Sequence, residues 1–303
     1  MLTPVFFSPE MNVDGLESYS PSAGKPKRFC ELLAHHDFRS YGPESLGKVE
    51  PVTKEDLCLV HKPSYISGLF ALREPNGFGN CDPRVPESVL WTVGSLLSAS
   101  RHAMKYPVTP VCSPSSGYHH ADYDSAGGYC TANGLIVVAA KLIEENPFIK
   151  IGIIDADAHY ADGSFSLLKR HQRIGQQVLH FTSGQHFHGD DALEALDFQA
   201  WLHSVIKEMN AYQPDLVLYQ AGADAWMEDP LQSGYLTEAQ LIQRDRDVFQ
   251  GIRAPIVWNL AGGYARSPDN SIFTDPVLRI HRSTLIESDK SVKVRETFFE
   301  SKS

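Results

Sequence analysis

The chain has 303 residues, 42% hydrophobic and 21% charged, with a formal net charge of −10. Acidity on that scale, with no basic block against it, excludes a grip on nucleic-acid phosphates. The length is enough to bury a large core in an ordinary globular protein.

Five cysteines (Cys30, Cys58, Cys81, Cys112 and Cys130) lie far apart with no Cys-x-x-Cys pair, as in a protein with reduced thiols. The first ten residues lack the basic-then-apolar order of a signal peptide, and no apolar run approaches the ~18 residues of a membrane span. A cytoplasmic location with no membrane partner is the expectation.

In chain order, residues 4–7 read as a first edge strand, and residues 15–27 as a polar loop punctuated by Pro and Gly. A helix over 26–35 follows, with Phe29, Leu32 and Leu33 on one face. His35 and His36 at its end suit the helix dipole better than a metal. A helix over 62–72 starts near Pro63, and residues 74–83 form a long irregular loop of the kind that carries function. The spacing of Val89, Leu90, Val93, Leu96 and Leu97 predicts a helix over 87–104, and residues 108–111 read as a strand. Gly127 and Gly128 open an Ala- and Val-rich helix to about Glu145.

Further along, strands are expected at 151–154, 178–182, 216–219 and 256–260, with helices between them. Asp190 or Asp191 caps a helix carrying Leu193, Leu202, Val205, Ile206 and Met209, and Thr237 starts another with Leu241 and Val248 inward. The last helix covers about 275–285, and the charged tail over 289–303 reads as frayed. Strands alternate with helices from residue 84 onward without a linker. That pattern predicts one α/β domain over 1–303, a mostly parallel sheet with helices on both faces.

Residues 151–163, Ile-Gly-Ile-Ile-Asp-Ala-Asp-Ala-His-Tyr-Ala-Asp-Gly, organise the rest. Ile151 to Ile154 is a buried strand, and beyond it Asp155, Asp157 and His159 stand two apart. In extended chain such residues share a side and converge, as ligands for zinc or a harder divalent metal. The bland alternative is that Asp155 or Asp162 caps the next helix. Three further strand ends carry polar groups: His119 with His120, Asp224, and Gly262-Gly263-Tyr264. In a parallel sheet those ends lie along one edge. Together they supply carboxylates and an imidazole for a metal, histidines for proton transfer, and a phenol that can donate to an oxyanion, which is equipment for amide hydrolysis. His180, His186 and His188 read as polar loop residues without metal.

Five segments in order resemble the zinc-dependent histone deacetylase and acetylpolyamine amidohydrolase family, with its arginase-deacetylase-like fold. They are Tyr-His-His-Ala (118–121), Gly-Gly-Tyr-Cys (127–130), Asp-Ala-Asp-Ala-His-Tyr-Ala-Asp-Gly (155–163), Ala-Gly-Ala-Asp with Asp-Pro-Leu (221–231) and Ala-Gly-Gly-Tyr (261–264). The resemblance implies one zinc per chain on Asp157, His159 and Asp224. It implies His120 as general base and acid, oriented by Asp162, with His119 paired to Asp155 and Tyr264 stabilising the oxyanion. Gly128, Tyr129, Phe187 and Leu231 would line an acyl-lysine channel. A structural potassium would sit near Asp155, Asp157 and His159, assisted by Thr182 or Ser183.

The sequence departs from the family in having Gly-Tyr before the two histidines and Tyr160 after His159; neither position holds metal or carries a proton. Asn80 and Asp82 are candidates for the rim residue that holds substrate backbone. The expected partner is an acylated lysine in a peptide or protein, or a small acylated amine. Neutral Leu231 favours acyl-lysine over acetylpolyamine, because a second ammonium would be desolvated there. The competing readings are a dimanganese ureohydrolase and a catalytically silent acyl-lysine binder.

Overall fold

The computed structural model describes residues 2–35, 47–187 and 195–300. Five strands form one parallel sheet: β1 (Val111–Ser113), β2 (Ile151–Asp155), β3 (Val178–Thr182), β4 (Leu216–Gln220) and β5 (Ile256–Asn259), in the order β1-β5-β4-β2-β3. The helices are α1 (Lys25–His35), α2 (Lys54–Leu57), α3 (Pro63–Phe70), α4 (Arg84–Lys105), α5 (Gly134–Glu145), α6 (Asp162–Arg170), α7 (Gln172–Gly175), α8 (Gly184–Phe187), α9 (Ala195–Tyr212), α10 (Glu238–Gly251) and α11 (Pro276–Glu300).

Every residue of β2 and β4 is buried, which explains their near-continuous Ile, Val and Leu. Alternate side chains enter two cores. Ile151, Ile153, Leu216 and Leu218 pack with α4 and α5, while Ile154, Val217, Tyr219 and Trp258 pack with α1, α10 and α11. The helices therefore cover both faces, as the alternation of elements predicts. Among the described residues no helix is long and apolar enough to cross a membrane.

The register aligns the last residue of every strand. Ser113 pairs with Asn259, Asn259 with Gln220, Gln220 with Asp155, and Asp155 with Thr182. Five buried polar residues thus form one row across the C-terminal edge. The functional loops leave the sheet from this row.

Four expectations need correction. The strand expected over 108–111 starts at Val111, because Pro107 and Pro110 have no N–H to offer a ladder. The first edge strand reduces to a single bridge between Val5 and Cys112. Residues 127–130 form a tight turn instead of a helix start, with Gly128 at φ 50° and Tyr129 at φ 63°. Left-handed residues cannot seed a right-handed helix, and α5 begins at Gly134, where the Asn133 side chain caps Ile136 N–H. The tail expected to fray is the second half of α11, which buries Ser288, Ser291, Val292 and Arg295. His36, His188, Asp190, Asp191 and Leu193 lie outside the described residues.

Candidate active site

The loop leaving β2 carries Asp157 and His159, and the loop leaving β4 carries Asp224. Their ligand atoms lie within 4.8 Å of one another. His159 Nδ1 is 3.2 Å from Asp157 Oδ1 and 2.9 Å from Asp224 Oδ2. Backbone donors hold the carboxylates in place: Gly262 N–H donates to Asp157 Oδ2 at 2.8 Å and Ala158 N–H to Asp224 Oδ1 at 3.2 Å. Glycine is required at 262, since a Cβ there would overlap the Asp224 carboxylate.

Both carboxylates are sealed from solvent. Burial and the neighbouring Asp157 push Asp224 up to about 7. Asp157 is also penalised by burial, yet His119 and His159 hold it well below the usual carboxylate range. Burial works against charge on His159 too, but the two carboxylates lift it to about 11. A site that draws a cationic imidazole between two acids is short of positive charge. Two oxygens and one nitrogen at this spacing suit a divalent cation. Among the described residues no second group of three His, Cys, Asp or Glu is placed to hold a metal.

The two adjacent histidines face different acids. His119 Nδ1 lies 2.8 Å from Asp155 Oδ2, which also accepts from Gln220 Nε2 at 2.9 Å. His120 Nδ1 lies 2.7 Å from Asp162 Oδ1, at the start of α6. Burial opposes charge on His119, but Asp155 and Asp157 overcome it and raise its pKa to about 9. Burial also opposes charge on His120, and the neighbouring His119 adds to that, so its pKa falls below 6.5. The pair is pushed apart, one imidazole cationic and one neutral near pH 7, which is how acid and base roles are separated. With Nδ1 held by Asp162, His120 Nε2 is the free nitrogen.

Tyr264 is buried, its backbone N–H donates to Asp229 Oδ2 at 2.8 Å, and its ring meets His159 edge-on at 6.4 Å. Burial, then Asp224 and Asp157, drive its phenol far above 10, so it stays a donor. Tyr129 packs against Tyr264 at 5.6 Å and Phe78 against Tyr129 at 6.0 Å, giving three aromatic rings in sequence beside the ligand set. Gly128 lies against His120, and a Cβ there would overlap the imidazole. Leu231 sits in the turn after Asp229, its N–H donating to Asp229 Oδ1 at 3.1 Å.

Phe187, expected at the channel wall, is instead a core residue. It is 1% exposed and packed among Phe198, Trp201 and Tyr235. An aromatic beside a glycine turn fills the core here. Of the rim candidates, Asp82 is tied to Arg84 in an ion pair, and Asn80 Oδ1 accepts from Asn76 Nδ2 and Asp82 N–H. His180 is half-buried on β3 and His186 packs on Phe187; neither reaches the ligand set.

Several site residues escape sequence reasoning. Besides Gln220 and Asp229, Ser233 Oγ lies 3.2 Å from His159 Nε2. Buried Arg244 donates from Nη1 to Ala156 O at 3.2 Å and Gly222 O at 2.7 Å, tying the β2 and β4 loops together. Lys25 Nζ donates to Ala261 O at 2.7 Å; burial pulls it to about 8 against Asp224, Asp157 and Asp229. Each is a single polar residue whose partner is distant in sequence. Of these residues only Asp229 stands inside a motif the sequence offers, Asp-Pro-Leu over 229–231. Ser183 donates from Oγ to Asp157 O at 2.8 Å and from N–H to Asp155 O at 2.9 Å, and Thr182 Oγ1 accepts from Ala161 N–H.

The sequence model of one protein family, the histone deacetylase domain, matches residues 22–275. An uncharacterised protein of Picosynechococcus is 25% identical over 80% of this chain and 85% of its own length. Histone deacetylase 2 of Arabidopsis thaliana is 24% identical over 90% of this chain and 77% of that protein. Among solved structures, acetylpolyamine aminohydrolase from Burkholderia pseudomallei superposes with a TM-score of 0.71, covering 96% of this chain and 99% of that one at 16% identity. That likeness shows the arginase-deacetylase fold.

Proposed function

Because the chain belongs to the histone deacetylase domain family, we propose that it is a zinc-dependent amidohydrolase that removes an acetyl or longer acyl group from an amine, first of all an acyl-lysine side chain. The observation that carries this reading is the convergence of the Asp157, His159 and Asp224 ligand atoms, with the His120 and Tyr264 rings both set against His159. Zinc bound there would lower the pKa of a water towards 7 and polarise the acyl carbonyl.

The chain's own groups supply the rest. His120 Nε2 takes the proton of the attacking water and returns it to the departing amine, while Asp162 fixes the tautomer from the Nδ1 side. His119, held cationic by Asp155, adds positive charge beside the reaction and keeps His120 neutral. The Tyr264 hydroxyl donates to the carbonyl oxygen as charge gathers on it. Phe78 and Tyr129 flank the methylene stem, each buried methylene contributing about 0.8 kcal/mol, and Leu231 leaves the channel uncharged. The reading includes a structural potassium near Asp155, Asp157, His159 and Thr182, where the Ser183 hydroxyl meets the Asp157 carbonyl. It also includes a cytoplasmic place of work.

The test is a fluorogenic acetyl-lysine assay with a chelator control, alongside metal analysis and kcat/KM for acetylspermidine. One zinc per chain, chelator-sensitive turnover and a preference for the lysine substrate are expected. Two manganese per chain would favour the ureohydrolase reading, and a preference for acetylspermidine would overturn the substrate assignment.

A further inference from the structure

The segment after Asp224 closes on itself. Met227 N–H donates to Leu236 O at 2.8 Å, and the N–H groups of Tyr235 and Leu236 both donate to Ala225 O, at 2.9 and 2.8 Å. Gly234 lies on the Trp226 carbonyl so closely that a Cβ would overlap it. The Tyr235 hydroxyl donates to Ser183 Oγ at 3.1 Å, and its ring packs on Phe187 at 5.2 Å and Phe198 at 5.6 Å. Ser233 therefore rides on a loop pinned at both ends. Ser233 is buried, 8% exposed, and its hydroxyl lies 3.2 Å from His159 Nε2.

The two nitrogens of His159 face opposite neighbours. Nδ1 points at the carboxylates of Asp157 and Asp224, and Nε2 at the Ser233 hydroxyl. An imidazole that offers the Nδ1 lone pair to a cation must carry its proton on Nε2, and that N–H needs an acceptor. We propose that Ser233 is a positioning residue. Its Oγ accepts the His159 Nε2–H, and so fixes both the tautomer and the ring orientation that present Nδ1 to the metal. The inference rests on the metal-site reading above and goes one residue beyond its ligands.

The test compares the full-length wild-type protein with Ser233→Ala, Ser233→Thr and Ser233→Val. Threonine and valine share a shape and differ in the hydroxyl. Zinc affinity is measured by chelator competition, the cobalt-loaded proteins are compared by visible absorption, and melting temperatures are taken with zinc bound and with metal removed. Ser233→Ala should bind zinc about 10- to 100-fold more weakly, the usual cost of losing such a partner. Ser233→Thr should bind more tightly than Ser233→Val by a similar factor, and the cobalt bands should shift in the two variants without a hydroxyl. The metal-free melting temperatures of wild-type and Ser233→Ala should coincide, because the loop is held by its backbone bonds and by Tyr235. Unchanged zinc affinity in Ser233→Ala overturns the proposal. So does an equal affinity in the threonine and valine variants, or a metal-free melting loss as large as the metal-loaded one. A wild-type protein that takes up no metal would instead overturn the metal-site reading itself.

Discussion

The two ends of one sheet handle buried charge in opposite ways. At the C-terminal ends of the strands, Asp155, Asp157 and Asp224 are sealed from solvent and lean on imidazoles and a few backbone N–H groups. At the N-terminal side, Arg295 of α11 is equally sealed. It donates to five carbonyls, those of Pro107, Val108, Phe249, Ile252 and Ala254. Burial works against the Arg295 charge, but every acceptor is a fixed backbone dipole that cannot titrate. The guanidinium end is satisfied by the fold alone. The carboxylate end is left with an excess that only protons or a cation can offset, and its pKa values move accordingly. Charge satisfied by the backbone holds structure, and charge left to an exchangeable partner is available for chemistry.

Removing one acid is the strongest way to break this contrast. Asp224→Ala takes away a ligand and half of the paired negative charge, so metal retention and turnover should both be abolished. Metal content after gel filtration, read with an acetyl-lysine assay, checks this, and full zinc occupancy would sink the ligand assignment. Next, His120→Ala should lower kcat by about 10²- to 10⁴-fold with metal still bound, the scale of a lost acid–base group. Near-normal turnover would move the proton transfer to another residue.

At the other end, Arg295→Met should strip the cation from its carbonyls and cost about 3–5 kcal/mol of stability, the scale for breaking buried charge contacts. The zinc affinity of the folded fraction should be unchanged. Denaturant titration and chelator competition separate the two, and a joint loss would mean that the ends are coupled.

The smallest effect sharpens the contrast through pH. In metal-free protein the folded-state pKa of His119 is raised to about 9, above its unfolded value. Its stabilisation is then present in full below about pH 6.5 and lost as pH rises through about 9, on the order of 3 kcal/mol. The raised Asp224 acts in the same direction at lower pH. Metal-free protein should accordingly be less stable at about pH 9.5 than at about pH 6, and zinc should flatten the dependence by replacing the protons. A denaturation midpoint that is level or rises over this range in metal-free protein would contradict the charge balance described.

The readable parts of the sequence are those where one local rule decides the outcome. Ile151–Asp155 and Leu216–Gln220 are apolar runs ending in polar residues, so both the strands and the edge that bears the site follow from them. Asp157, His159 and Asp224 follow because they stand just beyond those runs. The unreadable parts depend on contacts across the fold. Gly127 to Cys130 looks like a helix start beside an Ala- and Val-rich segment, and only the positive φ of Gly128 and Tyr129 makes it a turn over His120. The second half of α11 looks solvated because its apolar residues are few, yet Arg295 faces inward. The family pattern puts Phe187 at a channel wall, but Phe198, Trp201 and Tyr235 claim it for the core. Ser233 and Gln220 carry no signal apart from their distant partners.

The strand order has a consequence for how the molecule is made. β5 is the last described strand to leave the ribosome, yet it lies between β1 and β4. Val111 waits for Val257 before β1 can join the sheet. Pairings over such separations are slow, because a long chain segment must close before they contribute. Asp155, Asp157, His159 and Asp224 are already translated by then, but the Gly262 N–H that holds Asp157 and the Tyr264 phenol arrive only with β5. A nascent chain can gather its acids early and still lack the groups that make them useful, so catalytic competence is deferred until the sheet is closed through its middle.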